Sequence, residues 1–181
     1  MTNRQQWTLI AGVVMTAVFG VALAIKLRPQ LNLIEVGSTA PDFDAVELPS
    51  GRPVRIEDYR GKVVLLNIWA TWCPPCKVEM PSMERLHRKL AGPGSDFRLV
   101  AVSVDEEDSS VVNTFVKDMG LTFEILHNRD GSIRRIYQTT GVPESFVIDR
   151  DGVIVKKVIG AADWDAPVNE TLIRRLLDGA R

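Results

Sequence analysis

Cysteine and histidine are scarce in this chain, with two of each among 181 residues. Two cysteines cannot lace together a multi-bridge disulfide scaffold, so a hydrophobic core has to hold the fold. A structural zinc site draws four ligands, commonly cysteine or histidine, and this chain has few to offer. Internal repeats and low-complexity tracts are absent, and so is any basic cluster. The formal net charge is −1; residues 1–28 carry Arg4, Lys26 and Arg28 and no acid, which leaves a net −4 for residues 29–181. A mildly acidic domain of that kind is poorly suited to nucleic acid, and no such partner is expected. Hydrophobic residues at 45% and charged residues at 25% are ordinary for a globular protein with a core.

One long apolar run stands apart. From Trp7 to Ile25 the chain reads WTLIAGVVMTAVFGVALAI, without a charge and apolar on every face. At about 1.5 Å per helical residue it spans nearly the ~30 Å bilayer core. Trp7 at one end and Lys26 and Arg28 at the other suit the two interfaces. A cleaved signal peptide is the competing reading, since Ala22-Leu23-Ala24 fits a small-x-small cleavage site. The run exceeds the usual length of a signal's apolar region, which favours an uncleaved anchor. Flanking charge is nearly balanced and does not decide orientation. The organisation expected is a cytoplasmic tail (1–6), a transmembrane anchor or uncleaved signal (7–27), a linker (28–40) and one domain (41–181).

Within the domain, residues 43–48 and 53–56 flank Ser50-Gly51, a hairpin signal. Residues 63–70, VVLLNIWA, suit a central strand buried on both faces. Met80, Met83, Leu86 and Leu90 recur at helical spacing over 75–90, and 97–104 is another buried strand. Val112, Phe115, Val116 and Met119 mark an amphipathic helix begun at Asp108-Ser109 and stopped by Gly120. Ile133, Ile136 and Tyr137 mark a short helix. Residues 146–148 and 153–155 flank Asp149-Arg150-Asp151-Gly152 as a tight antiparallel hairpin, and a last helix covers about 166–177. The order predicts an α/β sandwich around a mixed sheet.

Both cysteines lie in WATWCPPCKVEMP, residues 69–81, where the first central strand hands over to its helix. That carboxyl edge is where open α/β sheets bind ligands. His87 lies eleven residues past Cys76 on the same helix, roughly 16 Å along its axis, and cannot share a metal with the pair; His127 remains open. A two-residue loop gives a structural disulfide little entropic value. Redox chemistry explains the placement. A cysteine at a helix N-terminus faces the positive end of the dipole, which favours its thiolate, and proline is tolerated in the first turn. The second thiol is spaced to resolve a mixed disulfide formed by the first. Cys73 is the expected nucleophile and Cys76 the resolving thiol, with no cofactor needed.

WCPPC after a buried strand, with Gly141-Val142-Pro143 before a later one, resembles the thioredoxin superfamily. Within it, the chain is similar to the TlpA/ResA/CcmG (DsbE-type) group of membrane-tethered thiol-disulfide oxidoreductases. The likeness runs over about residues 36–178 and rests on VGSTAPDF, NIWATWCPPCKVEMP, GVPESFVIDRDG and Gly160-Ala161-Ala162-Asp163-Trp164. It implies a thioredoxin-like fold with an N-terminal β-hairpin extension, and a catalytic domain facing the periplasm or cell exterior. It also implies a Cys73–Cys76 disulfide and a cis Pro143 that presents the Val142 backbone to substrate. Trp72, Pro74, Pro75 and Glu144 join the expected substrate-contacting set. Substrates implied are apocytochrome c cysteine pairs or copper-site cysteines, with a membrane electron donor of the DsbD/CcdA type.

Two departures from thioredoxin matter. Its buried aspartate, six residues before the first cysteine, is Asn67 here, which cannot relay a proton. Glu79 lies one helical turn past Cys76 and is the candidate acceptor of the Cys76 proton. Pro81 should kink the helix by removing the N–H that would bond the Lys77 carbonyl. Pro74 and Pro75 offer the Cys73 thiolate no backbone N–H, no histidine is adjacent, and Glu79 adds a like charge. A pair without thiolate stabilisers should donate electrons rather than take them. Alternatives are a general disulfide oxidase, a peroxiredoxin (disfavoured because its threonine-rich loop is missing), and a copper-delivery protein using Cys73, Cys76 and His127.

Overall fold

The computed structural model describes residues 3–26, 33–48 and 50–179; within the first stretch the side chains described are those of 6, 7 and 11–23. The chain divides into two compact units, Met1–Asn32 and Leu33–Arg181. In the first, helix α1 covers Asn3–Lys26, and the Thr16 hydroxyl donates to the Gly12 carbonyl at 2.8 Å. Among the described residues no helix is long and apolar enough to cross a membrane.

In the second unit the strands are β1 (Ala45–Glu47), β2 (Pro53–Val54), β3 (Val63–Trp69), β4 (Phe97–Ser103), β5 (Glu124–His127), β6 (Glu144–Ile148) and β7 (Ile154–Ile159). The helices are α2 (Pro74–Leu90), α3 (Ser109–Met119), α4 (Ser132–Ile136) and α5 (Pro167–Leu177). One mixed sheet runs in the order β2-β1-β5-β4-β3-β6-β7. β3 pairs with β4 in parallel and with β6 antiparallel, so it lies near the middle and is buried along its whole length. That burial is why VVLLNIW shows no alternation. The fold is thioredoxin-like, and the N-terminal hairpin joins the sheet through β1 against β5.

Local chemistry sets the helix ends. The Asp108 side chain caps α3 by accepting from the Ser110 N–H, and Gly120 closes it at φ 62°, a left-handed conformation that glycine adopts without a Cβ clash. α2 continues through Pro81 to Leu90, so the proline does not end it. The core gathers Trp69, Trp164, Tyr137, Phe43, Phe97 and Phe146 on the two sides of the sheet.

Two differences from the sequence reading have physical reasons. β5 was not foreseen: EILH is four residues long and carries no alternation, and it is held by β1 and β4 on either side. The stretch expected as a linker, 28–40, lies outside the described residues over 28–32, whereas 33–40 belong to the domain unit. Ile34 and Ala40 are buried there. The Gly37 and Ala40 N–H groups donate to the Ile154 and Gly152 carbonyls at 2.8 Å each. Segments fastened through their backbone need no side-chain period, so the composition gave no sign of it.

Candidate active site

β3 ends at Trp69, and Ala70 to Trp72 form the turn into α2, with the Cys73 N–H donating to the Ala70 carbonyl at 3.2 Å. Cys73 is the N-cap of α2, in extended conformation, and the prolines occupy the first helical positions. Cys73 and Cys76 are joined in a disulfide, with Cα atoms 5.3 Å apart. Cys73 Sγ accepts a hydrogen bond from the Cys76 N–H at 3.1 Å. Pro74 and Pro75 have no N–H to give, and the first N–H after them, that of Cys76, reaches this sulfur. Both cysteines are buried, at 2% and 0% exposure, while Trp72 (56%), Pro74 and Pro75 form an exposed rim.

The Val142–Pro143 peptide bond is cis. The Val142 carbonyl oxygen lies 3.4 Å from Cys73 Sγ, and the Pro143 carbonyl accepts from the Gly160 N–H at 2.9 Å. Sequence positions 69 apart thus meet over the disulfide.

Glu79 is 2% exposed. One carboxylate oxygen accepts from the Asn67 amide at 2.9 Å and the other from the Ala162 N–H at 3.2 Å. Burial pushes its pKa up to about 7, against those two donors and the Trp164 indole, which faces the carboxylate from outside hydrogen-bond geometry. A carboxyl that titrates near neutrality, one helical turn from Cys76, suits the transfer of a thiol proton. Val78, Pro81, Arg85, Ala161 and Asp163 border an open groove over it.

Glu144 is brought to the same loop but not to the same face. It pairs with Ile68 while its neighbour Ser145 pairs with Asn67, so its side chain lies across the sheet from Glu79. It has no exposed surface; it accepts from the Thr140 N–H at 3.1 Å and lies 3.4 Å from Lys157 Nζ. This arrangement ties the loop that carries Pro143 to β7. His127 is also removed from the pair's service: it is buried, and its Nε2 donates to the Asp105 carbonyl at 2.8 Å. Among the described residues no group of three or more histidine, cysteine or acidic side chains is arranged to hold a metal ion.

Sequence reasoning missed Asp105. This fully buried carboxylate accepts from the Thr71 N–H at 3.0 Å, the Thr71 hydroxyl at 2.5 Å and the Ser103 hydroxyl at 2.6 Å. It ties the end of β4 to the turn entering Cys73. The available signal was an acid at the carboxyl edge of a buried strand, where nothing apolar explains it.

Residues 36–157 match the AhpC/TSA family. ResA, a thiol-disulfide oxidoreductase of Bacillus cereus, is 34% identical over 158 residues, covering 87% of this chain and 89% of its own. The chain belongs to the ResA-type thiol-disulfide oxidoreductases. ResA of Geobacillus thermodenitrificans is 38% identical over 144 residues, 80% of each chain. Among solved structures, a Chlorobium tepidum chain named for the thiol:disulfide interchange protein DsbE superposes with TM-score 0.70 at 31% identity, covering 79% of this chain and 98% of that one. StoA of Bacillus subtilis gives TM-score 0.59 at 29% identity, covering 75% and 96%. A ResA-type oxidoreductase needs a dithiol that cycles through a disulfide, and Cys73 and Cys76 are this chain's whole complement of cysteine.

Proposed function

We propose that this oxidoreductase is an extracytoplasmic, membrane-anchored reductant of particular protein disulfides, with Cys73 as nucleophile. The observation that carries the direction of electron flow is the buried Glu79 carboxyl one helical turn from Cys76, with the Cys76 N–H as the backbone donor to Cys73 Sγ. Little there stabilises a thiolate, and a disfavoured reduced form gives its electrons away.

The Cys73 thiolate attacks one sulfur of the substrate disulfide; that S–S bond breaks and the leaving thiolate takes a proton from water. Cys76 then gives its thiol proton to the Glu79 carboxylate and attacks Cys73 Sγ. The mixed disulfide breaks, the second substrate thiolate leaves, and it is protonated in turn. Two electrons have passed to the substrate, and the Cys73–Cys76 disulfide remains. Val142 and Pro143 flank the attack site, and Trp72, Pro74 and Pro75 form the rim over which a substrate chain lies. A membrane dithiol donor of the DsbD/CcdA type restores the pair.

The oxidised CxxC pair of an apocytochrome c is the substrate class this reading puts first, and the copper-site cysteines of an oxidase subunit the second. Residues 7–27 serve as the anchor and place the domain outside the cytoplasmic membrane. The expected test result is a reduction potential below that of the glutathione couple, measured by equilibrating the full-length protein in detergent with glutathione buffers. A potential well above that couple makes the protein an oxidase and removes the proposal.

A further inference from the structure

Asn67 sits on β3 with no exposed surface, and its amide nitrogen spends both hydrogens in one pocket: one on Glu79 at 2.9 Å, one on the Ser145 hydroxyl at 2.8 Å. Its own carbonyl oxygen is buried with no hydrogen-bond partner. Turned the other way, the amide would set its oxygen against the Glu79 carboxylate, so the pocket requires its donor end to face Glu79.

We propose that Asn67 is the positioning residue of the proton transfer, fixing the Glu79 carboxylate one helical turn from Cys76 through its amide hydrogen bond. This deepens the Glu79 reading and rests on it. The position explains the residue type. A neutral donor favours the ionised carboxylate, whereas an aspartate here places a second charge against it in the same closed space. Among the described residues, none of the hydrogen bonds to Glu79 comes from a charged group. Ser145 comes from β6; Ala162 and Trp164 come from the turn before α5. Arg85 and Asp163 stand at the groove rim, and Lys156 lies over the outer Trp164 ring. Ser82 fixes that turn by accepting from the Trp164 N–H at 3.0 Å, so the second donor to Glu79 is held independently of Asn67.

The test compares Asn67→Leu, similar in volume and without donors, with Glu79→Gln and the double variant, all as full-length chains. The rate of disulfide reduction is followed from pH 5 to 10, together with thermal unfolding of the oxidised form. Losing a donor to a charged group raises the carboxyl pKa, so Asn67→Leu should shift the midpoint of the rate profile upward by about one to two pH units. Because Glu79 and Ser145 each lose a donor, its unfolding temperature should fall, more above pH 7 than at pH 5, and the double variant should match Glu79→Gln in its rate profile. A lowered unfolding temperature with an unmoved midpoint makes Asn67 a structural residue and overturns the proposal while sparing Glu79. If the profile of Glu79→Gln keeps the midpoint of the parent, the Glu79 reading fails and takes the Asn67 proposal with it.

Discussion

Replacing Glu79 by glutamine is the perturbation whose size the structure sets most directly. The carboxyl ordinarily titrates near 4.5 and is pushed up to about 7 by burial. Because the folded pKa is raised, the native state holds a proton that the unfolded chain releases. The stabilising effect of that proton is complete below pH 4.5 and is lost as pH rises through 7. At about 1.4 kcal/mol per unit, the native state gives up roughly 3 kcal/mol over this window. Glutamine keeps the size and accepts from Asn67 or Ala162 without ever ionising. Chemical denaturation of the oxidised protein should therefore show Glu79→Gln about 3 kcal/mol more stable than the parent at pH 8.5, with the difference fading toward pH 4.5. The same variant should reduce disulfides more slowly, and its reduction potential should move in the oxidising direction. Because thiols and acid are coupled, the kinetic titration belongs to the group rather than to one residue. Parallel stability curves across that range refute the buried-carboxyl account, and an unchanged rate and potential remove Glu79 from the chemistry.

Other outcomes follow from the same geometry. Asp105→Ala strands the Thr71 N–H, its hydroxyl and the Ser103 hydroxyl; unfolding should come about 3 kcal/mol earlier, and a loss under 1 kcal/mol shows that Asp105 does not hold the turn. In the reduced protein near neutral pH, iodoacetamide should label Cys73 well before Cys76, and mass spectrometry showing equal rates removes the assignment of roles. A C-terminal alkaline phosphatase fusion should be active; an active cytoplasmic reporter instead reverses the orientation, and a mature chain beginning at Ile25 favours a cleaved signal.

Much of the domain was legible because its elements carry period or punctuation. Met80, Met83, Leu86 and Leu90 mark the buried side of α2, and Asp108 and Gly120 bracket α3. The disulfide and the cis Val142–Pro143 bond agree with what the family resemblance implied. What stayed hidden depends on pairing between distant segments. β5 becomes a strand only between β1 and β4, and residues 33–40 are held by bonds to the turn before β7. Glu144 is adjacent in sequence to the active loop, yet the alternation of β6 sends it across the sheet. Asn67 marked a missing acid in the sequence; its use as a donor needed the third dimension.

In the proposed mechanism Cys73 attacks the substrate and Cys76 resolves the mixed disulfide, which a trapping experiment tests directly. Full-length Cys76→Ser is mixed with an oxidised peptide carrying a CxxCH pair, quenched with acid, digested without reductant and mapped by mass spectrometry. The prediction is a stable adduct joining the peptide to Cys73, with Cys73→Ser forming little adduct through Cys76. Adducts of equal yield through Cys76, or none through Cys73, contradict it.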